Sequence, residues 1–407
     1  MQLIVFYRFL VFRKYFYLYK KSGDLMKENR IFAHKVFTGE ELLEKQVITC
    51  VNNRIKTIQA GEIADASIAV ANLAPGFFDI QVNGGEQFHF TANPDEDCLA
   101  DIEKACLEDG TAYAFPTLIT SSIENIFKGI DAVRSYRDSH AQSAILGMHL
   151  EGPFINLKKR GAHLPKYILK PDRKLVEEIV HYGRGVIVHM TIAPEVFDSD
   201  TLQLLLDAGI ALAVGHSNAT YNEATAAFNL GIHQVTHLFN AMSPFLHREP
   251  GVVGAAFDHE RVFTPLVLDG IHVDFAAARI AHKIKKDKFF LTSDALFLRK
   301  KKQAFRWEGF DAKLINGEYV NSEGNLAGAN ISLADAVKNA VQQLGVSVQE
   351  AVEMATSRPA KSVNQIGHIG KIAPGYPARF TAFNNDLNDF KVLRVMGQND
   401  RRTTSNQ

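Results

Sequence analysis

From residue 75 onward the chain is punctuated by short apolar runs that end in polar residues and give way to amphipathic stretches. The runs are PGFFDIQVNG from Pro75, TAYAFPTLIT from Thr111, AILGMHLEG from Ala144 and GVIVHMTIAP from Gly185. GIALAVGHS from Gly209, HQVTHLFN from His233, FTPLVLDGIH from Phe263 and KFFLTSDA from Lys288 continue the series. Each is too short for a typical helix. Several are rich in β-branched residues or lack polar alternation, as strands buried on both faces do. Between them lie helical stretches such as PDRKLVEEIVHYG and SDTLQLLLDAG, the latter stopped by Gly209. Eight strands alternating with helices over about 220 residues predict an α/β fold, a (β/α)8 TIM-like barrel. A doubly wound open sheet is the competing arrangement, but no G-x-G-x-x-G follows the first strand.

Residues 1–25 do not share this pattern. MQLIVFYRFLVFRKYFYLYKK is aromatic, and Arg8, Arg13 and Lys14 interrupt its apolar run, which a membrane helix of about 20 residues would not tolerate well. A secretory signal would place its charges before the apolar core and a small-residue cleavage site after it. The segment therefore reads as a non-core extension, an over-extended start with Met26 as the initiator. A peripheral or membrane-anchoring segment is the alternative reading.

Composition narrows the function classes. With 46% hydrophobic and 22% charged residues among 407, a sizeable core forms and global disorder is excluded. Lys+Arg and Asp+Glu balance at 45 each, so a broad basic surface for nucleic acid is not expected. Removing residues 1–25 takes away five cations and only Asp24, leaving a remainder four charges to the acidic side. An anionic small molecule then needs local cations. Cys50, Cys98 and Cys106 form no C-x-x-C, which argues against a disulfide framework or cysteine zinc site and fits a reducing cytoplasm.

Barrel active sites lie at the C-terminal ends of the strands. There this sequence carries Gln81 and Asn83, Glu151, His216, His237, Asp269 with His272, and Asp294. Glu151, His216 and His237 make a carboxylate and two imidazoles with a fourth position left for water, the ligand count of a catalytic zinc-type site. Singly, each has a plainer reading. A strand-end histidine is more often hydrogen-bonded or exposed, Glu151 could cap a turn, and Asp294 could cap the next helix. His149 and His189 lie inside their strands and read as packed residues. GHSNA resembles a nucleophile elbow with Ser217, but Ala219 replaces its second glycine.

Taken together, PGFFDIQVNGG, HLEGPFIN, GAHLP, GHSNATY, THLFNAMSP, REPGVVGAAFD, DGIHVD and TSDA closely resemble the N-acetylglucosamine-6-phosphate deacetylase family of the amidohydrolase superfamily. The resemblance runs from about Met26 to the last turns. It implies a barrel over 75–366 and a small β-sandwich built from both chain ends, 26–74 plus 367–407. It also implies that Glu151, His216 and His237 bind one divalent metal ion, with zinc the first expectation and iron, manganese or cobalt accepted by the same donors. Asp294 corresponds to the catalytic carboxylate, and His272 to the residue that supports the amide oxyanion. His163, Asn240 and Ala241 correspond to substrate contacts. Arg248 matches an arginine reaching the neighbouring subunit's substrate phosphate, so a homodimer is implied, with no nucleic-acid or membrane partner. Where many amidohydrolases carry His-x-His and a second metal, this chain has Gln81-Val82-Asn83, whose neutral amides are poor zinc ligands.

The chemistry implied is amide hydrolysis of N-acetylglucosamine 6-phosphate to glucosamine 6-phosphate and acetate. Water is activated toward a pKa of about 7, Asp294 takes and returns the proton, and His272 stabilises the oxyanion. The alternatives are another N-acyl sugar phosphate and an inactive sugar-phosphate-binding scaffold; a dead homologue would be expected to lose a ligand or the Asp, and this chain keeps all four. LFLRKKKQAFRWEGF after Asp294 departs from the family pattern. It is expected to be a substrate-covering loop whose charge run, Arg299 to Lys302, is solvated.

Overall fold

A strand buried on both faces has no polar side to turn to water, so it must lie between a helix layer and an interior. The two long first strands meet that condition at every position: β5 (Phe77–Val82) and β6 (Thr111–Ile119) are buried throughout. In this computed structural model, which describes residues 28–300 and 302–395, they open a parallel sheet. The sheet continues through β7 (Met148–Glu151), β8 (Ile187–Ile192) and β9 (Ala211–Val214). The expected extension over residues 1–25 lies outside the described residues.

The sixth stave is held by parallel bridges Val214–Val235 and Gln234–Phe263. β10 (Thr264–Leu266) and β11 (Phe289–Leu291) follow as a parallel pair. The ring closes where Ala295 bridges Val82, with Asn83 N donating to Ala295 O at 2.9 Å and Asp294 N to Gln81 O at 3.0 Å. All eight staves coincide with the eight apolar runs. The fold is a (β/α)8 barrel, and its closure brings the first and last strand ends side by side.

The outer helices start where side chains can satisfy free N–H groups. Asp95, Ser122 and Asp198 accept from the third residue of the helices Glu96–Glu108, Ile123–Ser139 and Ser199–Asp207. Thr220 and Glu223 form a reciprocal box on Tyr221–Leu230. Helix Glu96–Glu108 turns Cys98, Leu99, Ile102, Ala105 and Cys106 to the core, each large apolar chain contributing about 1.5–3 kcal/mol of burial. The three cysteines are free and buried. Among the described residues no helix is long and apolar enough to cross a membrane.

Both chain ends supply a second, smaller unit. β1 (Asn29–Phe37), β2 (Leu42–Val51), β3 (Arg54–Ala60), β4 (Ile68–Pro75), β15 (Arg379–Phe383) and β16 (Lys391–Arg394) form a mixed sheet in the order β16-β15-β4-β1-β2-β3. An Arg54–Pro377 bridge folds the sheet back toward its own edge, around Ile31, Ile48, Leu73 and Phe380.

The segment after Asp294 differs from expectation. It forms an antiparallel three-stranded sheet, β12 (Ala304–Trp307), β13 (Phe310–Ile315) and β14 (Glu318–Val320). Nor is its charge run simply solvated. Arg299 pairs with Asp109 at 2.7 Å and with Glu86 and Glu108 at 3.6 Å, and Lys302 donates to Gln87 O. Three acids brought together by the fold recruit the cation, which a linear reading does not reveal.

Candidate active site

Strand direction fixes which residues can meet. All eight staves run parallel, so their C-terminal ends share one mouth, and every strand-end residue singled out above lies there. Glu151 ends β7, His216 and His237 follow β9 and the sixth stave, and Asp294 follows β11. His216, His237 and Asp294 adopt φ of 47°, 29° and 47°. Such left-handed geometry in non-glycine residues costs on the order of 1–3 kcal/mol each and persists only where surroundings impose it. Here hydrogen-bonded loops turn the three side chains inward.

Glu151 Oε1 lies 3.1 Å from His216 Nε2 and 3.1 Å from His237 Nε2, and the two nitrogens are 3.2 Å apart. That near-equilateral triangle fits a tetrahedral ion about 2.0–2.1 Å from each donor, whose ligand edges would be about 3.3 Å. The donor chemistry agrees as well. His216 Nδ1 lies 2.9 Å from Lys159 O, so Nδ1 holds the proton and Nε2 presents its lone pair to the triangle. Among the described residues this is the one cluster of three such side chains that could hold a metal ion. Burial opposes ionisation of Glu151, yet the two imidazoles beside it hold its carboxyl well below the usual range.

Gln81 and Asn83 act as donors at this site. Gln81 Nε2 donates to Glu151 Oε2 at 3.2 Å and to Asp294 Oδ1 at 3.0 Å, and Asn83 Nδ2 donates to Asp294 Oδ1 at 2.9 Å. Desolvation, then the negative charge of Glu151, pushes the Asp294 carboxyl up to about 6, against the opposing pull of His237, Asn83 and His272. A carboxylate poised there can exchange a proton near neutrality.

The remaining predicted residues divide into two groups. His163 is buried with its ring 4.3 Å from that of His216, and its Nδ1 is 2.8 Å from Thr120 Oγ1. Thr120 donates its own proton to Glu151 O, so it accepts from His163 Nδ1–H. A Cβ on Gly152, at φ 90°, would strike that hydroxyl at 2.1 Å, which explains glycine directly after Glu151. His272 Nδ1 donates to Asp269 Oδ2 at 2.6 Å. Asn240 and Ala241 sit half-buried on the loop after His237, Asn240 Nδ2 reaching His237 O at 3.4 Å. Arg248 stands apart. It is exposed on the following loop, with no hydrogen bond or ion pair among the described residues.

Three polar residues in this neighbourhood were not anticipated: Asp79, Thr120 and Glu195. Asp79, buried inside β5, accepts from Thr292 Oγ1 at 2.9 Å, Ser293 N at 3.2 Å and Gln81 N at 3.3 Å, tying the strand before Gln81 to the turn before Asp294. A carboxylate within an otherwise apolar run was the available signal. Glu195 accepts from Ser217 Oγ, so the serine of GHSNA is bonded to a carboxylate, and among the described residues no imidazole bonds to it.

A closed parallel barrel whose mouth gathers a metal-type triad and a raised carboxylate is the architecture of barrel hydrolases. The chain belongs to the amidohydrolase family, whose pattern matches residues 72–398. It is 34% identical to the N-acetylglucosamine-6-phosphate deacetylase of Haemophilus influenzae, over 77% of this chain and 82% of that protein. It is 32% identical to the N-acetylgalactosamine-6-phosphate deacetylase of a Shewanella species, over 89% and 92%. The crystal structure of N-acetylglucosamine-6-phosphate deacetylase from Pasteurella multocida superposes with a TM-score of 0.84 at 30% identity, covering 91% of this chain and 98% of that one.

Proposed function

We propose that this chain removes the acetyl group of N-acetylglucosamine 6-phosphate, giving glucosamine 6-phosphate and acetate. The observation that carries the reading is the convergence of Glu151, His216 and His237 on one point beside Asp294, in a chain similar to deacetylases of that name. We assign one divalent ion per subunit to that point, zinc first, because the Gln81 and Asn83 amides donate to carboxylates and leave no second set of ligands.

When bound, the ion supplies Lewis acidity, which lowers the pKa of water and polarises an amide carbonyl. Asp294 takes the proton of the attacking water at its carboxylate and returns it to the leaving amine. Its Oδ1 is held by Gln81 and Asn83, which fixes the carboxylate plane for both transfers. His272 gives Nδ1–H to Asp269, whose carboxyl is lowered, against burial, by that hydrogen bond. That bond fixes the imidazole ring, which is assigned to stabilise the amide oxyanion. His163, Asn240 and Ala241 are assigned to the sugar phosphate.

Arg248 lies on a loop with Phe245 and Leu246, which are 59% and 50% exposed. A second copy covering this face would receive Arg248 at its substrate phosphate, so the working unit is a homodimer, placed in the cytoplasm. Acetate release from N-acetylglucosamine 6-phosphate, abolished by chelation and restored by Zn²⁺, tests the function. No release in the metal-loaded protein would overturn it. The Shewanella relative favours N-acetylgalactosamine 6-phosphate as a second reading, and kcat/KM for the two sugars side by side decides between them.

A further inference from the structure

Glu195 occupies the short turn Pro194–Val196 just beyond β8, the one strand end between Glu151 and His216 in barrel order. Its carboxylate accepts three hydrogen bonds from two different loops. Oε2 accepts from Ser217 Oγ at 2.7 Å, and Oε1 from Asn218 N at 2.7 Å and Asn156 Nδ2 at 2.9 Å. Ser217 and Asn218 directly follow His216, while Asn156 lies on the loop that leaves Glu151. Asn156 also donates its backbone N–H to His216 O at 2.9 Å. Ser217 exchanges backbone bonds with the third loop, Ser217 N to Ala241 O and Ser243 N to Ser217 O.

From this geometry we infer that Glu195 is a positioning residue for the Glu151–His216–His237 centre. The inference rests on the metal-site reading above and deepens it. His216 holds φ at 47°, a conformation that relaxes unless its neighbours are fixed. The Glu195 carboxylate fixes them on both sides. It anchors the two residues after His216, and it anchors Asn156, whose N–H grips the His216 carbonyl. A neutral acceptor of the same shape can keep the two Oε1 bonds and can meet Ser217 Oγ with an N–H, so position matters here more than charge. Loss of the acceptor frees the His216 turn and widens the triangle, while leaving all three ligands in the chain.

The test is Zn²⁺ affinity of the full-length, chelator-treated protein, measured by competition with an indicator chelator, together with its thermal midpoint before Zn²⁺ is added. Supporting groups of this kind typically change metal affinity by about 10–100-fold. Glu195→Ala is expected to weaken Zn²⁺ by that factor, and Glu195→Gln to restore it to within a few-fold of the parent. Ser217→Ala and Asn156→Ala, each removing one of the bonds to Glu195 from opposite sides, are expected to give smaller losses and carry the test if Glu195→Ala fails to fold. Parental affinity in Glu195→Ala, or in both single-bond variants, would overturn the inference even if the midpoint falls. Equal weakening in Glu195→Gln and Glu195→Ala would overturn it too. A parent protein that binds no Zn²⁺ would overturn the metal centre itself, which keeps the two failures distinct.

Discussion

The barrel holds two layers of histidine within a few residues of each other, and their contrast is instructive. His216 and His237 lie at strand ends, each 3.1 Å from a carboxylate oxygen, on left-handed backbone. His149 and His189 lie inside β7 and β8 with rings 4.3 Å apart, on ordinary strand backbone. Every polar contact of the inner pair is to a neutral group. His149 meets Thr117 Oγ1 at 3.2 Å and Thr191 Oγ1 at 2.8 Å, and His189 meets Ala211 O at 2.8 Å and Gln234 Nε2 at 3.2 Å. Burial therefore holds His149 well below the ordinary imidazole range and His189 down to about 4. His237 is just as enclosed, and burial pulls it down as well, yet its hydrogen bond to Glu151 pushes it up to about 9. One buried carboxylate separates a structural imidazole from one suited to a cation.

The comparison breaks most sharply at Asp294. Asp294→Asn is expected to lower kcat by about 10²–10⁴-fold, the usual contribution of a general acid–base group, while Zn²⁺ content stays at the parental level. Acetate release paired with elemental analysis checks both halves. His272→Ala is expected to lower kcat by about 10²–10³-fold through a lost oxyanion donor, with Zn²⁺ again retained.

The pH dependence sharpens the contrast. Asp294 must be ionised to accept a proton, and its carboxyl is pushed up to about 6. The kcat/KM profile should therefore show an acid limb, falling about tenfold per unit once Asp294 is protonated, and bound Zn²⁺ should move that limb lower by opposing the Glu151 charge. Stability responds through the inner layer. His189 is neutral in both folded and unfolded chains above about pH 6.5, so it contributes no pH dependence there. As pH falls between about 6.5 and 4, the unfolded chain binds a proton at His189 that the folded chain refuses; this residue alone lowers stability by about 1.4 kcal/mol per unit, and His149 adds in the same direction. Urea unfolding across this range measures the slope. The smallest effect is expected for His149→Leu. It leaves the Thr117 and Thr191 hydroxyls short of a partner and should cost about 1–3 kcal/mol in urea unfolding without removing any of the three candidate ligands.

Much of this contrast was legible in the sequence. The eight apolar runs place His149 and His189 within strands and His216 and His237 at their ends, and a parallel barrel turns that difference of a few residues into interior against mouth. The sheet after Asp294 was missed although its signals were present. Asn316-Gly317, at φ 52° and 91°, is a hairpin turn between β13 and β14, while the run of cations preceding β12 has the composition of a solvated loop. Glu195 and Thr120 carried no comparable signal. Each acts on groups far away in sequence, and two of the contacts involved, Asn218 N–H and Glu151 C=O, are backbone groups that any residue would supply.

By itself the sequence determined which side chains are available to the mouth, because strand periodicity and strand ends are local properties of the chain. Only the tertiary structure decided how those side chains are held. Closure of the ring sets Gln81 and Asn83 against Asp294, and the crossing of three loops at Glu195 brackets the left-handed turn at His216. Those geometries depend on bonds between segments tens to hundreds of residues apart. No local propensity encodes them, and they exist only once the barrel has closed.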